Sequence, residues 1–193
     1  MAISLERRFL SFELRSEATD ENKLVGIAAP YGTWSQVLFG RFREKIERGA
    51  FDRSLKENNI KALLQHDPNQ LLGRTGSQTL RLSSTDQGLA FELDIPNHDI
   101  GYRLREMVKR KDISQCSFGF YVRDGGDQWD RSKTPWERTL VDVDLREISF
   151  VDDPAYSEGT SANLRHFCSG YLQSEQKRAK NWFAFKRLLF SMR

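Results

Sequence analysis

TLRLSSTDQGLAFELDI, residues 79–95, alternates apolar and polar side chains on both sides of a short polar centre. Leu80 and Leu82 fall on one face of the first arm, and Leu89, Phe91, Leu93 and Ile95 on one face of the second. A period of two places one edge of each arm in a core, and Asp86 with Gly88 supplies turn chemistry, so the stretch predicts a β-hairpin. The same alternation extends outward. Strands are predicted around Leu10, Phe12 and Leu14, from Leu24 to Pro30, at Ile60, Ala62 and Leu64, from Ile113 to Val122, and from Leu140 to Val151. Residues 123–135, RDGGDQWDRSKTP, are too polar and glycine-rich for a core and read as a loop.

Helices are fewer. Asn97 is placed to cap a segment in which Ile100, Leu104, Met107 and Val108 recur at helical spacing, with Lys109, Arg110 and Lys111 at its C-terminal end. Residues 49–58 predict a short helix through Phe51 and Leu55. The fold class is therefore mainly β with flanking helices, a barrel or a sandwich, without the regular strand and helix alternation of a doubly wound sheet.

The chain has 193 residues, enough to bury roughly 70% of its unfolded surface. Its 13 Phe and 4 Trp exclude a disordered protein. Cys116 and Cys168 are too few for a disulfide framework, and neither lies in a zinc-binding spacing, so no metal is expected and a reducing compartment is. No segment approaches the ~20 apolar residues of a membrane span, which predicts a soluble protein without a membrane partner. Charge is uneven. Residues 177–193 hold six basic side chains and no acid, leaving 24 basic against 27 acidic residues before them. Trp182, Phe185, Leu189 and Met192 form one helical stripe in that segment. Two parts are expected: a domain over residues 1–160 and a basic amphipathic tail over 161–193, either packed as a C-terminal helix or serving as a docking or removable segment. A nucleic-acid partner is not expected, because the body is slightly acidic and carries no DNA- or RNA-binding motif.

Three residues could carry chemistry. His66 closes the apolar stretch IKALLQHDP, on one face with Ile60, Ala62 and Leu64, where Pro68 is expected to stop the strand ladder. Such a histidine is structural or catalytic on this pattern alone. Ser117, in DISQCSFGFYV, has the small neighbour Gly119 that close approach of a substrate favours, although serine in a strand is ordinary and no G-x-S-x-G elbow surrounds it. Cys116 is a rival nucleophile pointing to the opposite face. Glu147 lies on a predicted face of Val141, Val143, Leu145, Ser149 and Val151, where a carboxylate needs a partner. An imidazole N–H would serve, and so would a cation such as Arg74.

Taken in order, GIAAPYG (26–32), FREKIERGAFDRSL (42–55), LLQHDPNQLLGRT (63–75), DQGLAFELDIP (86–96), ISQCSFGF (113–120) and LREISFVDDPAY (145–156) resemble the tailed-phage prohead (capsid maturation) proteases. The resemblance implies a serine endopeptidase similar in fold to herpesvirus assemblin, a β-barrel with surrounding helices. It implies His66 as catalytic base, Ser117 as nucleophile and Glu147 as the acidic third member. Arg74 would bind substrate or stabilise an oxyanion, or close a turn. The implied substrates are the capsid protein precursor and a scaffold protein, with self-cleavage, inside an assembling procapsid in the host bacterial cytoplasm. No cofactor is implied, and a homodimer would be consistent with the assemblin likeness. A catalytically inactive, capsid-associated barrel is the competing class, since it would keep the fold motifs without needing Ser117 or His66.

Overall fold

The computed structural model describes residues 5–10, 15–17 and 20–152, all within one compact unit, Met1–Pro154. The expected boundary at residue 160 and the tail over 161–193 lie outside the described residues. Alternation dominates the sequence, and strands dominate the structure. In order they are β1 (Glu6–Leu10), β2 (Arg15–Glu17), β3 (Asp20–Pro30), β4 (Phe42–Ile46), then helix α1 (Asp52–Glu57), followed by β5 (Lys61–Leu64), β6 (Asp67–Arg74), β7 (Leu80–Ser84) and β8 (Gly88–Asp94). Helix α2 (Asp99–Lys109) follows, and β9 (Gln115–Val122), β10 (Asp127–Asp130), β11 (Trp136–Leu140) and β12 (Val143–Val151) complete the unit. Neither helix is long and apolar enough to cross a membrane.

The hairpin read from residues 79–95 is formed by β7 and β8, paired antiparallel from Leu80↔Leu93 to Ser84↔Leu89. Thr85 closes it, its hydroxyl donating to the Gly88 carbonyl at 2.8 Å. Gly88 has no substitute there, since a Cβ would lie 2.2 Å from the Ala29 carbonyl oxygen of the neighbouring strand β3. This hairpin joins β2 and β3 in a four-stranded sheet, β2-β3-β8-β7. A five-stranded sheet runs β1-β9-β12-β5-β6, and a three-stranded one β10-β11-β4. Phe91 of β8 meets Phe150 of β12 edge to face at 5.3 Å, and Phe51 beside α1 meets Phe118 of β9 at 5.8 Å, so aromatic rings join the layers of one core.

Several expectations are corrected. The described strands do not close into a barrel: each sheet keeps two edges, and the five-stranded one ends at β6. Pro68, without an N–H, lies inside β6, not beyond the ladder, in an irregular stretch where pairing jumps from Leu64↔Asp67 to Leu63↔Leu71. An edge strand tolerates that residue and ends the sheet. The polar stretch 123–135 is not wholly loop, because Asp127–Asp130 pairs with β11. At α2 the N-cap is His98, without a side-chain bond, while Asn97 accepts a hydrogen bond from the Tyr102 hydroxyl at 3.1 Å.

Candidate active site

Strand β9 places Ser117 and Gly119 on one face of the five-stranded sheet and Cys116, Phe118 and Phe120 on the other, in the core. Burial pushes the Cys116 thiol up to about 12, so at neutral pH it is protonated and inert. Strand β12 reaches the same face through a bulge. Leu145 pairs with Phe120 but Glu147 pairs with Gly119, leaving Arg146 as the extra residue. One added residue reverses the parity of everything after it. Val143 and Leu145 therefore face the core before the bulge, and Ile148 and Phe150 after it. The face predicted for Glu147, continuous with Val143 and Leu145, is thus wrong. Glu147 and Ser149 lie together on the Ser117 side. Helix α1 pins the approach to the bulge: the buried Ser54 hydroxyl donates to the Val143 carbonyl at 2.6 Å and accepts the Leu145 N–H at 2.9 Å.

His66 arrives from the turn between β5 and β6. It is not on the β5 face with Ala62 and Leu64, since Gln65 and His66 adopt left-handed backbone conformations, φ 55° and 57°. Left-handed non-glycine residues cost on the order of 1–3 kcal/mol each and persist where surrounding structure enforces them. Here the Gln65 N–H continues the ladder to the Phe150 carbonyl at 3.0 Å. Beyond the turn, Asp67 accepts the Asn69 N–H at 2.9 Å and the Gln70 side-chain amide at 3.0 Å. Those hydrogen bonds hold its carboxyl below the usual range.

The three expected residues meet. His66 Nε2 lies 2.7 Å from Ser117 Oγ, and His66 Nδ1 lies 2.7 Å from Glu147 Oε1. A carboxylate only accepts, so Nδ1 carries the hydrogen and Nε2 presents its lone pair to the serine hydroxyl. The side chains of His66 and Glu147 are 9% and 10% exposed and Ser117 is fully buried, so the pair is poorly screened by water. Arg7 of β1 sits on the same face and donates to Glu147 Oε1 at 3.3 Å. It supplies the cation for which Arg74 was a candidate. Arg74 is exposed, with β5 between its strand and β12, and its carbonyl accepts the Ser77 hydroxyl in a turn.

Two features escaped the sequence reading. Ser117 also donates to the Arg8 carbonyl at 2.8 Å, so one hydroxyl hydrogen has two acceptors, the other being His66 Nε2. Gly119 makes room for the acid, since a Cβ there would lie 2.8 Å from Glu147 Cγ. Neither carries a sequence signal of its own. Both follow from register: Arg7↔Gly119 in the regular β1–β9 pairing, and Gly119↔Glu147 in the β9–β12 pairing that the bulge sets. The outlying histidines stay apart: His98 is exposed at the start of α2, and His166 lies outside the described residues.

This is the arrangement of a hydrolytic triad: a hydroxyl, an imidazole that can take its proton, and a carboxylate that fixes the tautomer. Neither the curated proteins nor the solved structures contain a match to the chain. Residues 10–170 match a family model described as Caudovirus prohead serine protease. The match takes in most of the chain, so this protein belongs to the Caudovirus prohead serine protease family, serine peptidases of phage capsid maturation.

Proposed function

We propose that the protein is a Ser-His-Glu endopeptidase, with Ser117 as nucleophile, His66 as general base and Glu147 as the group that orients and stabilises the imidazolium. The observation that carries this reading is the His66 ring bridging Ser117 Oγ and Glu147 Oε1, 2.7 Å on each side. As Ser117 attacks a peptide carbonyl, its proton passes to Nε2, which then delivers it to the leaving amine. Water, deprotonated by the same nitrogen, releases the acyl-enzyme. For a member of this family the substrates are the capsid protein precursor and the scaffold protein, and the place of action is the interior of the assembling procapsid. Self-cleavage and a homodimer belong to the same reading, and the basic tail over 161–193 serves as its docking or removable segment.

Co-expression with the cognate capsid and scaffold proteins tests the assignment. Wild type is expected to trim them, and Ser117→Ala to leave them full length, since loss of the nucleophile costs about a millionfold in rate. Trimming by Ser117→Ala would overturn the site, and intact substrates with wild type would overturn the function.

A further inference from the structure

Ser149 stands directly across the β9–β12 ladder from Ser117, two residue pairs beyond Glu147↔Gly119 and on the same face. It is fully buried, and its hydroxyl oxygen has no hydrogen-bond partner among the described residues. Opposed residues in an antiparallel pair hold their Cβ atoms about 5 Å apart, so the two hydroxyls share one small volume. On the other side of Ser149 the register neighbour is Leu63, which offers nothing polar. A buried hydroxyl without a partner destabilises a folded chain, and such groups call for a reason.

The chemistry of the neighbouring site supplies one. When Ser117 attacks, the Oγ–C bond forms, the carbonyl π pair moves onto oxygen, and the hydroxyl hydrogen leaves for His66 Nε2. The new oxyanion needs donors. Two groups against the triad can only accept, the Arg8 carbonyl and the Glu147 carboxylate. His66 Nε2 is receiving the proton. Ser149 can donate and has nothing else to bond. We propose that Ser149 is a further catalytic residue, its hydroxyl donating a hydrogen bond to the oxyanion that forms at Ser117. This rests on the assignment of Ser117 as nucleophile. It explains why a polar side chain is kept unsatisfied in the resting enzyme: the bond it lacks is made only in the transition state, where it accelerates reaction.

The test joins folding to rate. Ser149→Ala removes an unsatisfied group, so its melting temperature should equal or exceed that of wild type, as a structural serine would not allow. Its kcat on the cognate scaffold protein should fall about 100-fold with KM little changed, the cost of losing one oxyanion donor. Its labelling by an alkyl fluorophosphonate should slow similarly, because there too an Oγ–P bond forms and a P–O oxygen gains charge as fluoride leaves. Ser149→Cys, nearly the same size but a poorer donor, should fall between the two. Wild-type rates in both variants, or rate losses that track a lowered melting temperature, would overturn the proposal. Ser117→Ala separates the failures. If it still labels and cleaves, the nucleophile is misassigned and the role of Ser149 falls with it; if it is dead while Ser149→Ala is fully active, only the oxyanion role is lost.

Discussion

Glu147 can be perturbed through its charge or through its position. Glu147→Gln keeps the shape and can still accept the His66 Nδ1–H, but it removes the charge that stabilises the imidazolium. Turnover of scaffold should drop about 10⁴-fold with folding intact, the loss seen when a triad carboxylate becomes an amide. Gly119→Ala leaves the carboxylate chemically whole and displaces it, because the added Cβ would lie 2.8 Å from Glu147 Cγ. Misplacing a catalytic group by about 1 Å costs roughly 100-fold, and the overpacking roughly 1–3 kcal/mol of stability. Equal activity of Gly119→Ala and wild type would show that Glu147 tolerates a different position. At this scale the identities of His66, Ser117 and Glu147 are legible in the sequence, because each sits in a motif. Their orientations are not. Strand parity puts Glu147 among valines until the bulge at Arg146 reverses it, and nothing in IKALLQHDP announces that Gln65 and His66 turn left-handed.

The element most in need of explanation is β1, whose alternate side chains serve different masters. Arg7 reaches Glu147, whereas Glu6 and Arg8 turn to the three-stranded sheet. There the buried Glu44 of β4 accepts from Arg8 Nε at 2.7 Å and from Arg138 Nη1 of β11 at 3.0 Å. Arg138 also donates to Glu6 at 2.7 Å and to Asp127 of β10 at 2.8 Å. The cluster therefore fastens the strand whose Arg8 carbonyl accepts the Ser117 hydroxyl. Burial alone would raise the Glu6 carboxyl, but hydrogen bonds and charge from Arg138 and Arg8 outweigh it and leave it below its ordinary 4.5. A depressed carboxyl contributes stability that is complete above its unfolded value and is lost as pH falls through the folded one. Wild type should accordingly lose melting temperature on acidification below about pH 4.5, and Glu6→Gln should show a shallower loss in that window. Arg8→Ala, which strands Glu44 without its closest cation, should cost about 3–5 kcal/mol at neutral pH. An acid profile identical in wild type and Glu6→Gln would show that the cluster contributes nothing through Glu6. None of this network is visible by period, since its members come from four strands and two of these, β4 and β10, lack the apolar alternation by which strands are recognised.

Across the whole unit, the site depends on β12 having a different task on each face. Glu147 and Ser149 lie on the Ser117 face, while Ile148 and Phe150 fill the core between the five-stranded and four-stranded sheets. The hairpin and the long strands of this core are legible because their alternation is uninterrupted. The number of sheets and the open edges are not, because they follow from pairing between distant segments, such as parallel β12 against β5 and parallel β11 against β4. Phe150→Ala would leave a cavity beside Phe91 and cost about 3–5 kcal/mol. In a unit of this size each kcal/mol moves the melting temperature by about 2–4 °C, so a fall of roughly 10 °C is expected. The variant also separates two views of the site. If the catalytic face is held by its own hydrogen bonds, from Ser54 to the bulge and from Gln65 to the Phe150 carbonyl, then kcat well below the melting temperature should stay within a few fold of wild type. None of those bonds uses the Phe150 ring: the Ser54 pair holds Val143 and Leu145, and the Gln65 bond takes only the residue 150 carbonyl. A loss of rate comparable to that of Gly119→Ala would show instead that the packed rings behind β12 set the position of Glu147, making the core itself part of the catalytic geometry.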